Sequence, residues 1–307
     1  MNVKRVFGKK RLLVLAVVLV LASVSLSVLI AEADEPYFLF KPTTKTPKVD
    51  KEAATNIAKQ VFQKMRPGAV VEEIELTQKG SLVAPIWVAR SGKKDYDKDE
   101  VEIDGATGKL IGLLSGTAMD NALASLQAKH PLLPEEEVLK RATARGKSFG
   151  IAVPDSKPTE ATSYRQIDSE EEGTVQWMFK WARESRGYKY YNDWFLIIAD
   201  GYKGEIIGSN KRYESVEPST FAINVSKERA LQLASTISAK NGFDVRPENA
   251  VLMIVNPNYR WTAENFVLDT VEARLAWVID FKKTEEGHGS IWIDAATGEK
   301  LGGDETR

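Results

Sequence analysis

The chain has 307 residues, 43% of them hydrophobic and 28% charged, with 42 Lys+Arg against 43 Asp+Glu, two histidines and no cysteine. This composition is globular and excludes a disordered chain, while a formal charge of −1 offers no basic field for nucleic acid. Without cysteine there is no thiol nucleophile, thiolate zinc site, disulfide framework or cysteine-linked lipid anchor.

Lys4, Arg5, Lys9, Lys10 and Arg11 precede an uncharged 19-residue run from Leu12 to Ile30, followed by Ala31-Glu32-Ala33. Basic, apolar, then small residues is the order of an export signal, and the run is also just long enough to span a bilayer. Residues 1–33 are therefore expected to be a signal peptide or a membrane anchor, an N-terminal hydrophobic helix that meets the membrane through residues 12–30 if uncleaved. Either way the positive-inside rule places the remainder outside the cytoplasm. That remainder carries 37 basic and 42 acidic residues. Residues 34–49, with Pro36, Pro42 and Pro47, are expected to be an extended linker.

Self-similarity organises the rest of the chain. Three segments match: Val101–Gly112, Ile198–Gly208 and Ile291–Gly302, each carrying an aspartate (Asp104, Asp200, Asp294) and a glycine four positions on (Gly108, Gly204, Gly298). The aspartates are spaced by 96 and then 94 residues, a period too regular for chance. Each segment predicts a strand, a tight turn and a second strand. The aspartate accepts backbone N–H groups inside the turn, and glycine supplies the left-handed residue that reverses the chain. With Gly105 and Gly201, these are structural turn residues rather than a catalytic or cofactor site. Gly108-Lys109 is not a phosphate loop, because the glycine required five positions earlier is Ile103.

Upstream of each turn lies a helical pattern, beginning at Asp50, Pro134 and Ser226 with acids in the first turn. Ala54, Ile57, Ala58, Val61 and Phe62 form an apolar stripe at helical spacing. Between helix and turn, Val175, Trp177, Phe179 and Trp181, and likewise Leu275, Trp277, Ile279 and Phe281, alternate as a strand does. The expected fold is α+β: three tandem modules at 50–115, 130–215 and 225–307, each one helix on an antiparallel meander.

This order, helix, aromatic-centred strand, then a strand closing on Asp-Gly/Ala-x-x-Gly-Lys/Glu, resembles the PepSY domain. The second copy departs from it with Tyr202-Lys203 and an acidic insertion around Asp168–Gly173. The resemblance implies a non-catalytic exported bacterial protein that inhibits, chaperones or localises an extracytoplasmic peptidase. A cell-wall lytic enzyme is the alternative partner, and a small-ligand sensor using Trp87, Trp181 or Trp261 the alternative function.

Catalytic motifs are missing. His130 and His288 lie too far apart in sequence for His-Glu-x-x-His, and no Gly-x-Ser-x-Gly elbow occurs. Asp95–Glu100 resembles a calcium loop but lacks its glycine and its terminal acid, so a charged turn is expected. A carboxylate pair such as Asp104 with Asp294 is the enzyme alternative. Neither metal nor cofactor is expected. Ser226 of the Asn224-Val225-Ser226 sequon is better explained as a helix cap.

Overall fold

The computed structural model describes residues 39–40, 46–77, 85–92, 98–166, 173–212, 216–241, 244–245, 249–258, 267–268, 272–282 and 288–306. The export segment, nearly all of the linker, Asp95–Asp97, most of the acidic insertion and Trp261 lie outside them. Among the described residues, four helices and a large mixed, mostly antiparallel sheet give an α+β fold. The chain divides into two compact units; one holds residues 46–181 and 195–211 of those described, the other 39–40, 182–194 and 212–306.

A two-residue strand, β1 (Leu39–Phe40), precedes the first unit. Helix α1 (Lys51–Met65) starts where the Asp50 carboxylate accepts the Ala53 N–H at 2.8 Å. Its stripe of Ala54, Ala58, Val61 and Phe62 is buried. The stripe packs on a meander of β2 (Glu73–Thr77), β3 (Ile86–Ser91), β4 (Asp99–Asp104) and β5 (Leu110–Ser115), which supplies Trp87, Ala89, Val101, Ile103 and Leu110.

The next element has no counterpart among those expected from sequence. Helix α2 (Gly116–Gln127) falls between the first two repeats and is capped by Ser115, whose Oγ accepts the Ala118 N–H at 3.0 Å. Ser115 Oγ in turn donates to the fully buried Asp99, which also accepts from the Thr117 amide (3.2 Å) and hydroxyl (3.0 Å). A chain end that satisfies a buried carboxylate with three donors starts a helix without help from a strong apolar stripe.

Helix α3 (Glu135–Phe149) follows, and Gly150 at φ 94° ends it. Its buried residues Val138, Ala142 and Phe149 join Phe179, Trp181, Phe195, Ile197 and Ile206 from β7 (Thr174–Ser185), β8 (Tyr188–Asp200) and β9 (Ile206–Arg212). Strand β6 (Glu160–Gln166) pairs antiparallel with β7. This core is continuous with that of the first repeat, because β5 pairs antiparallel with β9, matching Gly112, Leu113 and Leu114 to Asn210, Ser209 and Gly208. The first two repeats therefore share one sheet and one core, which replaces the separate meanders expected from sequence. An apolar strand edge finds a partner at lower cost than it stays solvated.

The second unit holds helix α4 (Lys227–Asn241), which Ser226 caps by accepting the Arg229 N–H at 3.2 Å. Its strands are β10 (Asp244–Val245), β11 (Val251–Val255), β12 (Val267–Leu268), β13 (Arg274–Lys282), β14 (His288–Asp294) and β15 (Lys300–Thr306). Ala230 and Ala234 pack on Ile279, Phe281, Ile291 and Ile293. On the opposite face Val255, Ala276, Val278, Trp292 and Leu301 form a second cluster. Tyr191, from the β7–β8 hairpin, stands edge-on to Trp292 at 5.2 Å and donates its hydroxyl to Asp304. Ser290 Oγ donates to the same carboxylate and accepts the Trp292 indole N–H at 2.7 Å.

Candidate functional site

The three repeated turns have one construction. Asp104 Oδ1 accepts the N–H groups of Ala106 (2.7 Å) and Thr107 (2.9 Å). Asp200 Oδ1 accepts those of Tyr202 and Lys203, with Glu205 on its other oxygen, and Asp294 Oδ1 accepts those of Ala296 and Thr297. Gly108, Gly204 and Gly298 sit at φ 73°, 71° and 77°, the region that an L side chain avoids. Each donates its N–H to the carbonyl of its own aspartate. The carboxylates are thus held by their own turns, and Asp294 also pairs with Arg274 at 3.0 Å.

The turns also seat the helices, a role that sequence reasoning missed. The carbonyl of Gly105 accepts the amides of Lys48 and Val49, immediately before α1, and Ala295 does the same for Asn224 and Val225 before α4. Trp87 donates its indole N–H to Val49 O at 2.8 Å and Trp277 donates to Val225 O at 2.9 Å. In the second repeat Gly201 O accepts the Leu133 amide. The signal lies in the sequence: Trp87 and Trp277 each stand 17 residues before their aspartate.

Close approach explains one glycine. Gly105 donates to Pro85 O at 2.8 Å, and a Cβ there would stand 2.5 Å from that oxygen. Gly105→Ala is therefore expected to cost about 2 kcal/mol through overpacking, read as a lowered urea midpoint. An unchanged midpoint would mean that the turn simply relaxes.

Trp87 and Trp181, named for the ligand-groove alternative, are buried in the first unit, and Trp181 donates its indole N–H to Ser156 O at 2.9 Å. His130 is exposed after α2. His288 lies on β14 opposite Lys282 and Thr306. Among the described residues no three His, Cys, Asp or Glu side chains group as a metal site, and no helix is long and apolar enough to cross a membrane.

The outward face of the first repeat is acidic. Arg90 bonds Glu75 and Glu100 at 2.7 Å each and reaches Glu73 at 3.5 Å. Burial pushes the neighbouring Glu102 carboxyl up to about 7; Glu100 adds to the shift and Arg90 opposes it. Strands β2 and β15 end the sheet, and β6 pairs with β7 alone. Among the described residues β2 and β6 keep one edge unpaired, whereas on β15 the Leu301 carbonyl accepts the Asn258 amide, and Gly303 donates to the Asn258 side-chain oxygen and accepts from its amide nitrogen.

No family model and no curated protein matches the chain. Among solved structures it is similar to the C-terminal domain of YpeB from Bacillus megaterium, with 13% identity and a TM-score of 0.44, covering 85% of this chain and 100% of that one.

Proposed function

We propose that the protein is an exported, PepSY-type binding protein without catalytic activity, built of three tandem repeats, that restrains or localises an extracytoplasmic peptidase. The observation that carries this reading is the pair of edges on β2 and β6 that are unpaired among the described residues. A strand edge with free N–H and C=O groups pairs readily with an extended segment of another chain. The aspartates available for a two-carboxylate enzyme are engaged by turn amides, which favours binding over hydrolysis. The peptidase as partner class comes from the resemblance of the repeat pattern to PepSY domains. Location outside the cytoplasm comes from the basic and apolar order of residues 4–30.

Using residues 34–307 as bait on the exported fraction tests this directly. Recovery of a peptidase is expected. Recovery of a cell-wall lytic enzyme would select that alternative partner. If no hydrolase is captured, and deletion leaves peptidase and lytic activities unchanged, the function is wrong. The sensor alternative loses ground because Trp87 and Trp181 are buried and donate to backbone carbonyls.

A further inference from the structure

The first and third repeats can be compared at the strand that follows each opening helix. Trp87 and Trp277 hold the same place in their repeats, and each stands opposite a leucine of a neighbouring strand, Leu76 on β2 and Leu252 on β11. The edge of β11 that faces away from β13 is occupied: β8 runs parallel to it and pairs Tyr190 with Ile254. Leu252 packs against the cluster that holds Tyr190, Ile254 and Leu275. The corresponding edge of β2 pairs with no strand among the described residues, and Leu76 is 38% exposed. The third repeat thus shows what this edge accepts, an extended strand, and the first repeat presents the same edge open.

The two edges differ in charge. Glu73 and Glu75 alternate with Ile74 and Leu76; Ile74 packs on the core beneath α1, so the carboxylates stand on the opposite face. Arg90 there pairs with Glu73, Glu75 and Glu100, one cation for three carboxylates, and the Glu73 and Glu75 side chains stay 56% and 51% exposed. On β11 the place of Glu75 is taken by Val251, since Glu75 pairs with Val88 and Val251 with Val278. The open edge of β6 lacks the pattern: Glu160, Thr162 and Tyr164 share one face and Ala161, Ser163 and Arg165 the other, and Glu160 already pairs with Lys180.

We infer that the β2 edge is a docking strand for an extended basic segment of a partner protein, with Lys or Arg at alternate positions beside Glu73 and Glu75 and an apolar residue beside Leu76. This rests on the reading of the chain as a binding protein, and adds which edge is used and what it selects. Backbone hydrogen bonds to β2 supply the grip. The surplus carboxylates and Leu76 supply the choice of sequence, because cross-strand neighbours of opposite charge attract and like charges repel.

The test uses the full chain, a peptide in which Lys alternates with Val, and a control in which Glu replaces Lys. The Lys peptide is expected to slow amide exchange at residues 73–77 and leave β6 unchanged, while the Glu peptide does neither. N-methylation of the Lys peptide's amides keeps its side chains and should abolish the protection. The double variant Glu73→Gln with Glu75→Gln should raise the Kd about fivefold, the scale of two exposed ion pairs; exchange in the free variant checks that the sheet is intact. Protection of β6 in place of β2, equal binding of the Glu peptide, or binding that survives N-methylation would overturn the inference. So would protection of β2 on concentrating the chain alone, which makes a second copy the occupant. Capture from the exported fraction separates this from the function itself: a peptidase recovered equally well by the double variant sinks the β2 site and keeps the function, whereas capture of no hydrolase sinks the function whatever the peptide does.

Discussion

Trp292→Ala is expected to destabilise the second unit by about 4 kcal/mol, the usual scale for removing a buried indole. The side chain is 1% exposed and belongs to the cluster of Val255, Ala276, Val278 and Leu301, with Tyr191 packed edge-on. Its loss also strips Ser290 of an indole donor, so the Ser290–Asp304–Tyr191 chain of hydrogen bonds loses one end. Tyr191→Phe separates packing from polarity: it keeps the ring and removes only the hydroxyl that donates to Asp304, for a loss of about 2 kcal/mol. Urea unfolding followed by fluorescence reads both. Equal losses in the two variants would show that the hydrogen bond, not the indole, holds this face together.

Asp294→Ala should cost about 3 kcal/mol, more than Asp104→Ala at about 2. Both changes orphan two turn amides, but Asp294 is 2% exposed and additionally faces Arg274, which would be left beside an empty turn. Because Ala295 O holds the amides of Asn224 and Val225, loosening this turn should also fray the start of α4. Exchange of the α4 amides gives an independent reading. If Asp104→Ala proves the more damaging, the ion pair with Arg274 contributes nothing and the expected ranking of the two turns is wrong.

What could be read from the sequence was whatever depends on neighbours in the chain. The stripe of Ala54, Ala58, Val61 and Phe62, the caps at Asp50 and Ser226, and the left-handed glycines after each aspartate follow from periods of three to four residues and from contacts within a single turn. Helix α2 was not legible. Its cap uses Asp99, which lies 16 residues before Ser115 and outside any local pattern. The glycines at 112, 208 and 302 close the matching segments, yet the reason for two of them appears only in the register, where Glu102 and Trp292 lie opposite Gly112 and Gly302.

The sequence by itself determined the local elements, the repeat period and the turn chemistry, because these rest on backbone preferences and on hydrogen bonds that span a few residues. Tertiary structure alone decided which strand edges close on one another. The pairing of β5 with β9 merges two repeats into one core, and the β7–β8 hairpin brings Tyr191 to Asp304 across 113 residues. No periodicity encodes such choices. They are settled by how much apolar edge each pairing removes from water, a quantity that exists only once the chain has folded.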